Sequence, residues 1–557
     1  MSRQLSDSKA VKILADACYQ KGMRKVVISA GSRNAPLILT FNRRIEFETF
    51  TITDERSAAF FALGMAEQTG ESVGLICTSG TALLNYSPAI AEAYYKGIPL
   101  VVMSADRPIE QIDQGDGQAI RQVGALSNFV KFTANLPIVD KVEDEWHVKN
   151  LVINAFYHLV SNKKGPVHIN VPLREPIYGT CVYNEKTPIA NILDTEKVLS
   201  EYSIQALSEL FNSYKKILIL PCTTGCDEDL RAILEKLSEL PQVVVLTETI
   251  NNLHSEKFFN GVDKYIELIN KEGNGYAPDL LITLGDILIS RMIKKYLKNT
   301  GVNAHWHISK NSQHIDMFHN LTFRIDVSPK YFFNNIKLIP SVDSNYSQEW
   351  RVIRQQLRDY HDDFVSGLEW SDFKAFLIIA TSLHDEYVLH SGNSTVVRYL
   401  QIIEQFASFE TYCNRGTSGI DGSVSTAVGA ACINDNKNLL ITGDLSFYYD
   451  SNALWNKYVS DSLKIIVINN EGGGIFRFIQ GPSEHEELGE FFEHHQVRRA
   501  NNISKAFGLD YYLVKDEDSL NDVLEKFLSS PKKSLLEIKT PRKVNDKVLS
   551  RYFNNIK

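Results

Sequence analysis

Between Leu439 and Phe476 two apolar runs of strand length end abruptly, one at Gly443-Asp444 and the other at Asn469-Asn470-Glu471-Gly472. If both are strands of a parallel sheet, their carboxyl ends lie together at one edge, where Asp444 and Asn470 can meet. A carboxylate and an amide oxygen beside a Gly-rich turn suit a hard cation such as Mg2+ that also takes phosphate oxygens. The spacing leaves room for one crossover helix, expected over Asn452 to Val459. An ordinary strand–helix–strand unit with polar loop ends carries the same pattern, so the chemistry needs a second half.

That half lies far upstream, in FETFTITDERSAAFFALGMA (Phe47 to Ala66), read as a strand, then Asp54-Glu55-Arg56, then a helix of small residues. A glutamate entering a helix is ordinarily a first-turn acid favoured by the helix dipole. Taken together, the two segments resemble the GDG…NN signature and the distant glutamate of thiamine-diphosphate enzymes, with Leu445 in place of the second glycine. That cofactor needs a carboxyl group at N1' of its aminopyrimidine ring, because the hydrogen bond there favours the imino tautomer that removes the thiazolium C2 proton. The resemblance implies that Glu55 is this catalytic group. It further implies that Asp444, Asn470 and the backbone carbonyl of Gly472 hold Mg2+, or Mn2+ in its place, and that Gly443, Ser394 and Ile420 line the cofactor.

Six further segments narrow the likeness: AGSRNAPL (Ala30 to Leu37), SADRPIE (Ser104 to Glu110), GQAIRQ (Gly117 to Gln122), GNSTVVR (Gly392 to Arg398), NRGTSGIDG (Asn414 to Gly422) and GDLSFYYDSNAL (Gly443 to Leu454). In type and order they resemble the 2-succinyl-5-enolpyruvyl-6-hydroxy-3-cyclohexene-1-carboxylate synthases, transferases of menaquinone biosynthesis. The implied reaction is decarboxylation of 2-oxoglutarate and conjugate addition of the resulting nucleophile to isochorismate, with release of CO2. Both substrates are dicarboxylates, and arginine is the residue suited to paired recognition of a planar carboxylate. Arg33, Arg107, Arg291, Arg398 and Arg415 are therefore carried over as substrate contacts, with Ser32 and Gln118 as polar contacts and Phe476 and Ile479 as apolar walls. Where the family often has two adjacent basic residues, this chain has Ser290-Arg291. Two alternatives remain open at this point: another thiamine-diphosphate-dependent 2-oxo-acid decarboxylase or carboligase, and a non-catalytic sensor that only binds the cofactor.

The 557 residues are enough for several domains, and 44% hydrophobic with 23% charged residues is ordinary globular composition. A net charge of −8 argues against a nucleic-acid partner. Seven scattered cysteines form no framework and favour a reducing cytosol. Cys222 and Cys226 have no second pair to complete a metal site; His305 and His307, which should face one side of a strand, lack an acidic or Cys partner nearby in sequence; and Glu493-His494-His495 reads as a solvated loop or helix end rather than a metal site. Val11, Leu14, Ala15 and Cys18 mark one face of an amphipathic helix rather than a signal segment. No apolar run has the roughly 20 residues of a membrane span, so the expected location is the cytoplasm.

Along the chain, strand-like and helix-like stretches alternate in three groups, which predicts an α/β chain of three consecutive doubly wound parallel-sheet domains. By the resemblance these are a pyrimidine-binding domain over 1–180, a central domain over 181–345 that includes most of a polar linker read from Gly179 onward, and a diphosphate-binding domain over 346–557. The same likeness implies a homodimer or homotetramer in which Glu55 and Asp444 of one site come from different subunits.

Overall fold

The structure, a computed structural model, describes residues 4–556 apart from 184–185, 194, 223–224, 311–312, 385 and 480. Parts of the predicted linker, and two of the three residues between Cys222 and Cys226, thus lie outside the described residues. Among the described residues three six-stranded sheets carry the fold, and their strands pair in parallel. The first runs in the order Glu48–Thr51, Lys25–Ile28, Val73–Cys77, Leu100–Asp106, Val167–Pro172, Thr133–Asn135. In the second, Ile217–Pro221 lies between Val243–Thr247 and Leu280–Leu284, followed by Ala304–Ile308 and Leu321–Ile325, with Phe259–Asn260 on the other edge. The third has the order Thr411–Cys413, Tyr387–Ser391, Lys437–Gly443, Leu463–Asn469, Ser534–Lys539, Asp510–Val514.

Central strands such as Val73–Cys77, Leu100–Asp106 and Leu463–Asn469 are buried at every residue. Parallel strands covered by helices on both faces read as unbroken apolar runs for this reason. Each fully buried Val, Leu or Ile there contributes about 1.5–3 kcal/mol.

By packing, the chain forms two compact units: one of residues 1–194, 414–436 and 446–463, the other of residues 195–413, 437–445 and 464–557. In the first unit the helix Glu55–Thr69 meets the helix Ser423–Ala431 through glycines. A Cβ on Gly64 would fall 2.0 Å from the Thr426 carbonyl oxygen, and one on Gly429 2.0 Å from that of Phe61. The backbones touch, and no other residue type fits at either position.

Three expectations are corrected. The crossover helix begins at Asp444 itself, Asp444–Tyr449, and only a short 3-10 turn, Ser451–Leu454, falls in the predicted span. Thr180–Val182, inside the predicted linker, is a strand that pairs antiparallel with Gln4–Ser6. Glu493 is buried rather than solvated.

Candidate active site

Asp444 and Asn470 follow adjacent strands of the third sheet, as the apolar runs predict. Asp444 is 1% exposed. Its Oδ1 accepts the N–H of Leu445 at 2.7 Å, its Oδ2 accepts Nε2 of Gln496 at 2.5 Å, and the Gly472 N–H also donates to it. Burial pushes the carboxyl up to about 7, against the lowering effect of these hydrogen bonds. Asn470 donates Nδ2 to Asp372 Oδ2 at 2.9 Å, which leaves its oxygen as the atom a cation would meet. Asp372 is buried in turn, accepts Oγ1 of Thr540, and is pushed up to about 6 by desolvation.

Gln496, far from both motifs in sequence, ties them together. It bonds Asp444 through Nε2 while its own N–H donates to the Glu471 carbonyl at 3.2 Å. Gly472 has φ 135, and a Cβ there would fall 2.6 Å from the Glu493 carbonyl oxygen, to which Gly473 N–H donates at 2.6 Å. The Glu493 carboxylate is held by Arg477 and Arg542. Phe476 and Ile479 belong to the short helix Ile475–Phe478 and its end, both half-buried, with the Phe476 ring 5.8 Å from that of Phe492.

At the neighbouring strand end Gly392 packs so closely on Thr442 that a Cβ would fall 2.7 Å from its Oγ1. Ser394, with φ 71, turns the chain into the helix Thr395–Ile402, which carries Arg398 on a half-buried turn. Arg398 faces Asp263 closely enough to lower its carboxyl, although burial raises it more. Arg291 opens the helix Arg291–Asn299 and is exposed. Its cap residue Ser290 donates its N–H to buried Glu248 at 2.7 Å. His305 and His307 do share one side, both bonding Oγ1 of Thr283, but His307 Nε2 has the Asp286 carboxylate 3.7 Å away, a neighbour that sequence order conceals.

In the first unit, Glu55 heads the helix Glu55–Thr69, which Asp54 caps by accepting the Ser57 N–H at 3.2 Å and Gly70 ends at φ 68. Asp54 also accepts Nδ2 of Asn452 at 2.7 Å, and Arg56 donates to the Tyr449 carbonyl at 2.7 Å, so both neighbours of Glu55 are pinned. Glu55 itself is half-buried, close enough to Cys77 and Tyr86 to oppose their ionisation. Arg33 is buried, donating to the Leu173 carbonyl at 3.1 Å and pairing with Glu175 at 3.2 Å, while Ser32 beside it is exposed. Arg107 donates to the Gly117 carbonyl at 2.6 Å, and Gln118, exposed at φ 55, backs onto Gly80. Buried Gln122 fastens this loop to the strand ends through the Gly80 N–H, the Ala105 carbonyl and Asn170. Arg415 and Ile420 lie on the segment before the helix Ser423–Ala431; Arg415 is half-buried and Ile420 45% exposed.

Residues 8–125 match the N-terminal TPP binding domain of thiamine pyrophosphate enzymes, and residues 391–538 match the C-terminal TPP binding domain. Over 98% of both chains the sequence is 42% identical to a protein of Flavobacterium psychrophilum named 2-succinyl-5-enolpyruvyl-6-hydroxy-3-cyclohexene-1-carboxylate synthase. Proteins of the same name from Christiangramia forsetii and Porphyromonas gingivalis are 42% and 39% identical, over at least 97% of each chain. The chain belongs to the 2-succinyl-5-enolpyruvyl-6-hydroxy-3-cyclohexene-1-carboxylate synthase family. It is a thiamine-diphosphate-dependent enzyme, and the comparisons lend no support to either alternative.

A carboxylate held at about 7 by desolvation is one that a divalent cation would stabilise in its charged form. Among the described residues no cluster of three or more His, Cys, Asp or Glu side chains could hold a metal ion. The set expected from the sequence, one carboxylate with an amide oxygen and a carbonyl, is of another kind.

Proposed function

We propose that the chain joins 2-oxoglutarate to isochorismate with loss of CO2, giving 2-succinyl-5-enolpyruvyl-6-hydroxy-3-cyclohexene-1-carboxylate. The observation that carries the site assignment is the desolvated Asp444 carboxylate held beside Asn470 at the ends of adjacent strands. Asp444, Asn470 and the Gly472 carbonyl would hold Mg2+ or Mn2+, with Gly443, Ser394 and Ile420 along the cofactor. Thiamine diphosphate, when bound, supplies the electron sink for decarboxylation.

The side chains have the remaining work. Glu55 holds the proton at N1' of the aminopyrimidine, and its pinned neighbours Asp54 and Arg56 fix its direction. Arg398 and Arg415 match the carboxylates of 2-oxoglutarate; Arg33 and Arg107, with Ser32, Gln118 and Arg291, match isochorismate. Ile420, Phe476 and Ile479 keep water from the nucleophilic carbon, whose protonation would release succinic semialdehyde instead.

The reading includes three domains bounded near 180 and 345, a homodimer or homotetramer, and a cytoplasmic location. Among the described residues no helix is long and apolar enough to cross a membrane. The test is to supply both substrates with thiamine diphosphate and Mg2+ and identify the product by mass spectrometry. Turnover of pyruvate with no response to 2-oxoglutarate would reject it.

A further inference from the structure

Glu92, on the helix Ser87–Lys96, is wholly buried. A carboxylate in the interior is tolerated only with hydrogen-bond partners, and those of Glu92 come from a distant stretch of chain. The Gly416 N–H donates to Oε1 at 2.8 Å, and the Thr417 N–H and Oγ1 donate to Oε2 at 2.6 and 2.7 Å. Lys96, one turn further along the helix, pairs with Glu67. The approach is close at the backbone too, since a Cβ on Gly416 would fall 2.7 Å from the Glu92 carbonyl oxygen.

These contacts bear on a segment that has no ladder of its own. Between the strand Thr411–Cys413 and the helix Ser423–Ala431 the chain makes no regular structure, and Ser418 has φ 61. Its far end is held by Ser446 Oγ, which donates to the Ile420 carbonyl at 2.5 Å, and by Gly422, at φ 76, against the Phe60 ring. Its near end, immediately after Arg415, is held by Glu92.

We propose that Glu92 is a positioning residue for the reaction, acting through Gly416 and Thr417 to hold Arg415 and Ile420 ready for the substrate. The role rests on the reading of Arg415 as a contact of 2-oxoglutarate. A segment ordered in advance spares the substrate the entropy of ordering it, so loss of the clamp falls on binding before it falls on turnover.

Glu92→Gln preserves shape but turns an amide NH2 toward the donors of Gly416 and Thr417. Thr417→Val removes one bond at an exposed position and tests the same clamp if the buried variant fails to fold. In the holoenzyme, hydrogen–deuterium exchange over residues 414–420 should quicken in both variants. KM for 2-oxoglutarate should rise about 10-fold in Glu92→Gln and about 3-fold in Thr417→Val, with KM for isochorismate and kcat much less affected. The double variant Glu92→Gln/Arg415→Ala should cost less than the product of the single effects. Wild-type exchange in the variants overturns the proposal, as does unchanged KM in both while Arg415→Ala raises it. If Arg415→Ala itself leaves KM unchanged, the substrate reading is overturned and the proposal falls with it.

Discussion

Glu55 stands at a helix start with Asp54 and Arg56 each pinned on either side, so its carboxyl can be altered without moving its backbone. Glu55→Gln should keep much of the cofactor's binding while slowing proton exchange at the thiazolium C2 at least 100-fold, the lower range for loss of a general acid–base group. NMR of the cofactor-loaded variant in D2O measures it, and exchange at the wild-type rate removes Glu55 from its role. Asp444→Ala deletes the one anionic group of the proposed metal site, so calorimetry should show thiamine-diphosphate affinity falling about 10–100-fold and losing its Mg2+ dependence. Unchanged affinity sinks the metal assignment. The positions of both residues were legible in the sequence because each follows a strand and opens a helix, where local pattern fixes the place. Gln496, Asp372, Gln122 and Glu493 were not legible. They act across gaps of many residues, as in the bond from Gln496 to Asp444, and no spacing rule announces a partner brought near only by tertiary folding.

At the scale of elements, unbroken apolar runs mark the central strands, whereas the edge strands Thr133–Asn135, Thr411–Cys413 and Asp510–Val514 offer only short or polar-interrupted runs. The last of these is only partly covered and carries no continuous apolar signal. The connection between elements most open to test is the turn at Glu248, after the strand Val243–Thr247. Its carboxylate accepts the N–H groups of Ile289 and Ser290, each at 2.7 Å, and Nε2 of Gln401 at 3.0 Å, joining the cap of the Arg291 helix to the helix that carries Arg398. Burial pushes this carboxyl up to about 7 from an ordinary 4.5. Between those values the folded chain holds a proton that the unfolded chain has released. The resulting stability is complete below pH 4.5 and is lost as pH rises through 7, a change on the order of 3 kcal/mol. Glu248→Gln cannot titrate, so its thermal midpoint should depend less steeply on pH across that window than the wild type's. Equal slopes in a scan from pH 5 to 8 would show that Glu248 is not the group responsible.

At the scale of the whole molecule, the order of three sheets could be read from the alternation of apolar runs, but the grouping of residues 414–436 and 446–463 with residues 1–194 could not. That grouping depends on backbone contact at Gly64 and Gly429, which a sequence records only as two small residues. In the proposed homodimer, each active site takes Glu55 from one subunit and Asp444 from its partner. Mixing Glu55→Gln chains with Asp444→Ala chains tests this. If subunits exchange freely from an equal mixture, about half the dimers are mixed, and two-fold symmetry gives each of these one doubly damaged site and one intact site. About a quarter of wild-type activity should therefore return from two inactive preparations. If both residues of a site came from a single chain, every site would carry a lesion and activity would stay absent. Native mass spectrometry of the mixture establishes that mixed dimers have formed, and mixed dimers without recovered activity would count against the shared site.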